Sequence, residues 1–409
     1  MKSNCKIINQ ALSECKDVYE QIDAVSLKNQ KKVLNTFVDN RIALRHFVGS
    51  SGYGYDDEGR DTLRKTVAEI FGAEDAVVSP LITSGTHAIT LALFGVLRPD
   101  DLVVSVTGEP YDTLQEVIYG KGNGSLADFG VSFSCLPLTQ DGKIDLNEIQ
   151  KTFSERNVTM AYIQRSRGYA WRQAFSIKEI EQACRVIRDV SPNTIIFCDN
   201  CYGEFVEELE PTNVGVDLCA GSFIKNIGGG LAPMGGYVVG KKALTQNVAG
   251  KLTAPSIGME AGAFPYGYRL FFQGLFNAPH VVNQALKTAI LFATTFRLLG
   301  YDVLPGKGDN IDDIVCTIKL GDEQKIIDFC KAVQSSSPVD GFVSPEPWSM
   351  PGYADKVIMA AGCFVQGASV ELSCDAPIRP PYAVYLQGGL TQEHGIIALE
   401  NVLNRLNLA

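Results

Sequence analysis

The chain has 409 residues, of which 45% are hydrophobic and 20% charged, and 46 acidic residues against 36 lysines and arginines give a formal net charge of -10. This composition is typical of a soluble globular protein of two or three domains, at roughly 150 residues per domain. The acidic balance argues against a nucleic-acid-binding protein, because phosphate binding requires clustered Lys and Arg.

The N-terminal segment and the cysteines bear on the cellular compartment. The first 17 residues, MKSNCKIINQALSECKD, contain polar or charged residues every few positions, so we predict no secretory signal, and no run approaches the 18 or so apolar residues of a membrane span. Eleven cysteines without regular spacing are typical of reduced thiols. We therefore expect a cytoplasmic enzyme, binding protein or assembly subunit that contacts neither nucleic acid nor membrane.

After a polar N-terminal arm, residues 1–48, short apolar runs alternate with segments of helical period. Such alternation predicts an α/β domain with a mainly parallel seven-stranded sheet and flanking helices, which we assign to residues 49–280. The predicted strands are 76–79, 102–106, 131–135, 160–164, 194–198, 218–223 and 237–239. The predicted helices between them include 62–71, 87–97, 146–153 and 177–190.

The C-terminal part, residues 281–409, follows a different pattern. A long helix is predicted over 281–299, because its apolar period stops before Gly300, and we expect it to link two domains. The sequence after this helix has few predicted helices for its number of predicted strands, which indicates a smaller α+β domain. Its predicted elements are strands over 314–320, 357–361 and 369–373 and a helix over 323–333.

Several familiar motifs are missing. No P-loop and no GxSxG elbow occur, and Pro233 stands where a GxGxxG pattern beginning at Gly228 would need its third glycine. The four histidines lie far apart, so we predict no metal site. Cys198 and Cys201 have CxxC spacing, but no second CxxC completes a four-thiolate site, and a buried strand thiol explains Cys198 without redox chemistry.

A small, hydroxyl-bearing turn, Ser84, Gly85 and Thr86, leads into the helix predicted over 87–97. Such a turn can bind a phosphate, because it presents free backbone N–H groups and lies at the positive end of a helix dipole. The same residues would also serve simply as a helix N-cap.

Two charged residues follow predicted strands, where open α/β sheets bind ligands. Asp199 ends a buried run, and a carboxylate there is costly without a partner, although it could be a turn residue beside Asn200. Lys225 follows the next run and precedes three glycines. Burial of Lys225 would lower its pKa and make it a nucleophile, but an exposed lysine would account for the pattern equally well.

The order of these features, a phosphate-type turn, then Asp199, then Lys225 26 residues later, resembles the aspartate-aminotransferase superfamily, or fold type I, of pyridoxal 5'-phosphate (PLP) enzymes. In that family the lysine forms a Schiff base with PLP and the aspartate pairs with the pyridinium nitrogen. The resemblance implies that PLP is an electron sink for a carbanion at the substrate Cα and that the amine of Lys225 moves the Cα proton.

Three further residues match this superfamily. Tyr111 corresponds to the aromatic residue that stacks on the cofactor ring, Ser222 to a hydroxyl that binds the phosphate, and Gln164 to a position near the phenolic oxygen of PLP. On the residues alone, Tyr111 could equally be a packed aromatic and Gln164 an ordinary strand terminus.

Within the superfamily the sequence is most similar to the Cys/Met-metabolism enzymes, in particular the methionine γ-lyase-like, aluminium-resistance group of cystathionine β-lyases. The similarity extends from about residue 45 to the C-terminus. The segments that carry it are 52–60, 83–89, 97–101, 272–276 and 375–382.

The sequence departs from the well-studied lyases near the N-terminus, where those enzymes carry a Tyr-x-Arg motif. Here the residue two places after Tyr53 is Tyr55 and not an arginine, and the next arginine is Arg60. The segment just before Lys225 also has one hydroxyl-bearing residue fewer than the corresponding segment of those lyases. Phosphate binding is then expected to be completed by Tyr55, by Arg60 or by the arginines at positions 165 and 167.

Arg379, in the Pro-flanked segment 376–382, matches the place where fold-type I enzymes bind the substrate carboxylate, for which a bidentate arginine is the expected receptor. The alternative is a surface arginine in a proline-rich loop.

The resemblance implies a PLP-dependent lyase that carries out β- or γ-elimination on a small amino-acid substrate, similar to cystathionine, cysteine or methionine. It also implies a homodimer or homotetramer with the segment Tyr53–Arg60 near the neighbouring active site. An aldolase, aminotransferase or γ-replacement enzyme would use the same lysine and aspartate. A non-catalytic PLP-fold binding protein and an α/β enzyme without PLP are the remaining alternatives.

Overall fold

The larger of two sheets has seven strands in the computed structural model, which describes residues 2–350 and 352–408, with side chains from residue 6. The strand order is β1-β7-β6-β5-β4-β2-β3; β7 is antiparallel to β1 and β6, and the other neighbours are parallel. The predicted mainly parallel seven-stranded sheet is therefore confirmed. Its strands are β1 (Asp75–Ser79), β2 (Leu102–Ser105), β3 (Ser132–Cys135), β4 (Met160–Gln164), β5 (Ile195–Asp199), β6 (Leu218–Ser222) and β7 (Gly236–Gly240).

Alternate residues of the central strands pack into different hydrophobic layers. In β4, Ala161 and Ile163 belong to one cluster, whereas Met160 and Tyr162 belong to the cluster on the opposite face. Burial on both faces explains why these strands are apolar along their whole length. The flanking helices are α3 (Glu58–Ile70), α4 (Gly85–Val96), α5 (Asp112–Tyr119), α6 (Leu146–Glu155), α7 (Ile177–Val190) and α8 (Lys242–Leu252).

The N-terminal arm contains two helices that the polar composition did not predict, α1 (Lys2–Glu14) and α2 (Lys16–Asp39). Ile8, Ala11 and Cys15 are buried at helical spacing and form a narrow apolar stripe. Both helices pack against the long helix α9. The arm is therefore part of the folded core and not a polar extension.

Helix α9 (Arg269–Leu298) begins well before residue 281, where it was predicted to start. Pro279 lies inside it, although a proline lacks the N–H that a helix interior normally uses. The helix continues through this position, and Ser26 of α2 donates a hydrogen bond to the Pro279 carbonyl. None of the helices described is both long and apolar enough to cross a membrane.

The smaller sheet is antiparallel throughout, in the order β10-β11-β12-β9-β8. The strand predicted over 369–373 is wrong, because those residues turn before the strand begins at Ser373, and the last strand was not predicted. The elements are β8 (Asp302–Leu304), β9 (Val315–Lys319), α10 (Glu323–Ser335), β10 (Val357–Ala360), β11 (Ser373–Pro377), β12 (Ala383–Gln387) and α11 (Gln392–Arg405).

One face of the smaller sheet packs on helices and the other faces the larger sheet. Cys374 and Leu386 belong to the core cluster that also contains residues of α9, α10 and α11. Asp375 and Tyr385, which alternate with them, line the space between the two sheets. The functional site lies in this space.

Candidate active site

A cavity of about 530 Å³ lies between the two sheets. The last residues of β4, β5 and β6 form part of its wall, as expected for a ligand site in an open α/β sheet. Of the residues predicted to bind cofactor or substrate, Tyr55, Arg60 and Arg165 do not line it. The predicted residues that line it are Ser84, Gly85, Thr86, Tyr111, Gln164, Arg167, Asp199, Ser222, Lys225 and Arg379.

The turn before α4 forms an anion-binding end of the cavity. Ser84 is the N-cap of α4, its hydroxyl accepts a hydrogen bond from the N–H of His87, and the first turn contains no acidic residue. A methyl group added at Gly85 would lie 3.6 Å from Cβ of Ser222 and 4.0 Å from Nζ of Lys225. The helix N-terminus, a hydroxyl and an ammonium therefore meet at one place.

The hydroxyl of Ser222 is buried and has no hydrogen-bond partner among the residues described. A buried polar group without a partner is costly, and such groups in native proteins usually have a ligand, a water molecule or an ion beside them. The orphaned hydroxyl beside the N-terminus of α4 thus fits the phosphate of PLP.

Hydrogen bonds connect Tyr111 to two other predicted residues. Its hydroxyl lies 2.9 Å from Oγ1 of Thr86, and its N–H donates to Oε1 of Gln164 at 2.8 Å. Burial, followed by the negative charge of Asp199, raises the pKa of Tyr111. Tyr111 therefore keeps its proton at neutral pH.

Asp199 ends β5 beside Gln164 of the neighbouring strand, and its Oδ1 accepts a hydrogen bond from the N–H of Cys201 at 3.1 Å. Burial raises the pKa of Asp199, while the charge of Lys225 acts in the opposite direction. The carboxylate is thus placed where a cation would stabilise its ionised form.

Lys225 lies in the same part of the cavity, with Nζ 4.0 Å from the centre of the Tyr202 ring. Burial acts to lower the pKa of Lys225, but the acidic groups of Cys201, Tyr202 and Asp199 together raise it well above its ordinary value. The predicted lowering of this pKa is therefore wrong, because the sequence did not reveal the acidic neighbours.

Two arginines considered as phosphate ligands do not line the cavity. Arg60 is buried and donates to the carbonyl of Gly54, and its Nε pairs with Asp61. Arg165 is also buried and pairs with Glu207. Both expectations are corrected, because each guanidinium is engaged by its own protein partners.

Arg167 and Arg379 reach the cavity, and each already contacts a carboxylate. Arg167 holds Asp313 through two nitrogens, at 2.9 and 3.3 Å. Arg379 is 39% exposed and forms a single bond to Asp355 at 2.9 Å. The half-exposed Arg379 is the one better placed to exchange its partner for a substrate carboxylate.

Tyr55 lies on the surface of its own subunit, 64% exposed, with its ring stacked on Tyr53 at 5.4 Å. It does not line the cavity of its own chain. A role of Tyr55 in PLP binding would therefore require a second copy of the chain.

The thiols of Cys198 and Cys201 are both free and buried, the second of them in the cavity wall. In the part of the chain described, no three His, Cys, Asp or Glu side chains are arranged to hold a metal ion. Cys201 was missed as a cavity residue, although its position two places after Asp199 is a signal that could have placed it there.

Other cavity residues were missed because they come together only in three dimensions. Tyr202 follows Cys201 with φ of 73°, a left-handed conformation that sequence patterns do not reveal for a tyrosine. Tyr169, Tyr353 and Tyr385 come from three separate segments. Asp375 lies in a segment that carried the family resemblance, but no role was assigned to it.

A buried acid, Glu204, lies behind the cavity. Its Oε1 accepts a hydrogen bond from the hydroxyl of Tyr237 at 2.8 Å, whereas its Oε2 has no partner within the described part of the chain. Burial raises the pKa of Glu204 to about 8. The native protein therefore keeps this carboxyl group protonated at neutral pH.

Glu204→Gln is expected to make stability less dependent on pH. Between the unfolded pKa of 4.5 and the folded pKa of about 8, the native wild type binds a proton that the unfolded chain has released, so its stability falls as pH rises. Glutamine does not ionise, so the variant lacks this fall in the free energy of unfolding, which in the wild type amounts to ~5 kcal/mol at most by pH 8. Urea unfolding at pH 5 and pH 8 measures it, and an equal pH dependence of the free energy of unfolding in both proteins would contradict it.

Comparisons with known proteins agree with this geometry. The sequence matches the family model for methionine gamma-lyase over residues 4–407. YnbB of Bacillus subtilis (strain 168) is 48% identical over 380 residues, which cover 92% of this chain and 90% of YnbB. The structure of a carbon-sulfur lyase involved in aluminum resistance from Clostridium novyi NT has a TM-score of 0.95 and 45% identity, covering 99% of this chain and 96% of that one.

A more distant structure shares the fold. The pyridoxal-5'-phosphate dependent protein YhfS from Escherichia coli has a TM-score of 0.62 at 13% identity, over 94% of this chain and 97% of that one. The chain therefore shares its overall fold with that protein.

Proposed function

Because the chain belongs to the methionine gamma-lyase family, we propose that it is a PLP-dependent carbon-sulfur lyase. It carries out β- or γ-elimination on a sulfur amino acid of the cystathionine, cysteine or methionine type. The observation that carries this proposal is the meeting of Gly85, the unpartnered hydroxyl of Ser222 and the ammonium of Lys225 at one end of a cavity that also holds Asp199.

Each part of the cofactor has a candidate partner in the cavity. The turn from Ser84 to Thr86 and the hydroxyl of Ser222 would bind the phosphate, and Asp199 would pair with the ring nitrogen. Tyr111 would contact the ring, and Gln164 would lie near the phenolic oxygen. PLP, when bound, supplies an electron sink that stabilises negative charge at the substrate Cα.

The remaining steps are proton movements made by the chain. Nζ of Lys225 would take the Cα proton, the electron pair of that C–H bond would form the new double bond as the carbon-sulfur bond breaks, and the hydroxyl of Tyr111, held by Thr86, would supply a proton to the leaving sulfur. Arg379 would bind the substrate carboxylate in place of Asp355. The buried Asp199 would keep a positive charge on the ring nitrogen beside it.

The experiment for this function is an assay of the holoenzyme with cystathionine, cysteine and methionine in separate reactions. We expect 2-oxo acid and free thiol or sulfide from at least one of them without any added amino acceptor. A 2-oxo acid that forms only when an amino acceptor is supplied would refute elimination and identify an aminotransferase. Failure to take up PLP would refute the assignment as a whole.

We further propose that the enzyme is a cytoplasmic homodimer or homotetramer in which the segment Tyr53–Arg60 lies near the partner's cavity. The exposure of Tyr53 and Tyr55, stacked on each other, supports this arrangement, since exposed aromatic pairs are typical of interfaces. Sedimentation of the purified protein tests it, and a monomer at micromolar concentration would contradict it.

Gly85→Ala is expected to weaken PLP binding by about tenfold or more, equivalent to ~1.4 kcal/mol. The new methyl group would lie 3.1 Å from Sγ of Cys201 and enter the space assigned to the phosphate. Titration of the cofactor-free protein with PLP measures the dissociation constant. Gly250→Ala is the matched control, because its methyl group would make only an ordinary contact with Pro255 at 3.6 Å. Equal PLP affinity of the two variants would contradict the phosphate assignment.

A further inference from the structure

Asp375 lies on the wall of the cavity that the smaller sheet provides. In the antiparallel pair of β11 and β12 it stands directly opposite Tyr385. Its neighbours Cys374 and Ala376 point the other way and are buried in the core of the smaller domain. The register of two strands thus fixes the carboxylate toward the cavity.

Three tyrosines, Tyr169, Tyr353 and Tyr385, line the cavity together with this carboxylate. The ring of Tyr169 lies 5.8 Å from that of Tyr353 and 5.1 Å from that of Tyr385, centre to centre. The hydroxyl of Tyr385 donates to the carbonyl of Tyr169 at 2.6 Å, which holds the two segments together. Oδ2 of Asp375 accepts a hydrogen bond from Gln387 at 3.3 Å. We call Asp375 with Tyr169, Tyr353 and Tyr385 the tyrosine subsite.

The ionisation of Asp375 agrees with a need for a cation. Burial raises its pKa to about 6, while Gln387, Tyr169 and the charge of Lys225 act in the opposite direction. At neutral pH the group is therefore mostly a carboxylate. Asp375 takes part in none of the proton movements proposed for this cavity.

The cations of the cavity are engaged elsewhere. Arg167 pairs with Asp313, Arg379 with Asp355, and Lys225 has a catalytic role under the proposed function. Arg172 also lines the cavity, and its guanidinium donates to the backbone carbonyls of Gln173 and Ser166. A partly buried carboxylate without a committed cation is costly, and aromatic faces beside a carboxylate form an environment that attracts an alkylammonium group. Among the described residues no lysine or arginine forms an ion pair with Asp375, so its carboxylate is available to a cation that enters with the substrate.

We propose that the tyrosine subsite binds a second ammonium group of the substrate, the one carried by the sulfur leaving group. This inference rests on the proposed function and narrows its substrate to diamino thioethers, of which cystathionine is an example. Methionine and cysteine have no such group. Elimination from a diamino thioether releases a thiol that still carries the ammonium, so the subsite also binds the first product.

The test compares two substrates with the same Cβ–S bond, L-cystathionine and S-(3-carboxypropyl)-L-cysteine. The second keeps the distal carboxylate and lacks only the distal ammonium. We expect Asp375→Asn in the holoenzyme to raise KM for cystathionine by about tenfold or more, because a charge-assisted bond is lost. The kcat for cystathionine and both constants for S-(3-carboxypropyl)cysteine are expected to stay within about threefold, since Asn keeps the shape of Asp. The control variant is Asp302→Asn, the same change at an exposed strand position of the same sheet.

An equal loss with both substrates, or no loss with either, would overturn the subsite. If Asp375→Asn does not fold, Tyr353→Leu removes one ring from the subsite and is expected to raise KM for cystathionine alone. Failure of the proposed function is distinct, because the wild type would then release 2-oxo acid from neither substrate. In that case calorimetric titration of the holoenzyme still decides the inference: a preference for cystathionine that Asp375→Asn abolishes supports it, and equal binding of both compounds refutes it.

Discussion

Lys225→Ala is expected to lower kcat by about 10³-fold or more, since a positioned proton-transfer group of this kind contributes 10²–10⁴-fold and the lysine also binds the cofactor covalently in the proposed mechanism. The amine lies in the cavity beside Asp199, Cys201 and Tyr202. Steady-state assays with the preferred sulfur amino acid at saturating PLP give the measurement.

The matched control is Lys251→Ala, an exposed lysine near the end of α8 and outside this cavity. It is expected to retain wild-type kcat within about twofold, as surface substitutions usually do. A Lys225→Ala protein that keeps more than a tenth of the wild-type kcat would show that the reaction does not depend on this amine.

Asp199→Asn is expected to lower kcat by about 10²-fold or more, the usual cost of losing one group that stabilises developing charge in a buried site. Asn has nearly the shape of Asp and its Oδ1 can still accept the bond from the N–H of Cys201, so the local turn is preserved. It cannot ionise, however, and a neutral amide does not hold a proton on a ring nitrogen. Assays of kcat at saturating PLP measure the effect.

This substitution separates the catalytic role of Asp199 from a purely structural one. If Asp199 only closed a turn, Asn would replace it and kcat would be unchanged. Asp145→Asn is the matched control, because Asp145 also accepts backbone N–H bonds, at the start of α6 and outside the cavity. Equal activity of the two variants would contradict the cofactor-pairing role.

The larger sheet could be predicted from the sequence because each central strand is buried on both faces. Continuous apolar runs such as 160–164 result directly from this double burial, and the helices between them carry clear caps, for example Ser176 with Glu179 at the start of α7. The topology itself, with β7 antiparallel between β1 and β6, depends on contacts between distant segments and has no local signal.

Two failures of prediction have identifiable physical causes. The stripe of Ile8, Ala11 and Cys15 is narrow, and the polar residues around it hid α1 and α2. In the smaller domain, β11 contains Asp375 and Pro377, residue types that normally favour turns, so the strand was placed too early. Its polar residue, Asp375, faces the cavity and not the core of the smaller domain.

The candidate site was predictable where one short segment supplies a chemical group. Asp199 ends β5, Lys225 comes shortly after β6, and Gly85 begins the helix after β1, so the sheet brings them together. The roles of Arg60 and Arg165 were not predictable, because an arginine that pairs inside the protein has the same sequence pattern as one that binds a ligand. The tyrosine subsite was invisible for a related reason, since its four members come from three distant segments.

The central claim is that Lys225 is the residue that holds PLP. The most direct measurement is to load the purified protein with PLP, reduce it with borohydride, digest it and identify the modified peptide by mass spectrometry. The account predicts one modified residue, Lys225, with the mass of the reduced cofactor. Cofactor on another lysine, or an unmodified Lys225 after saturation with PLP, would contradict it.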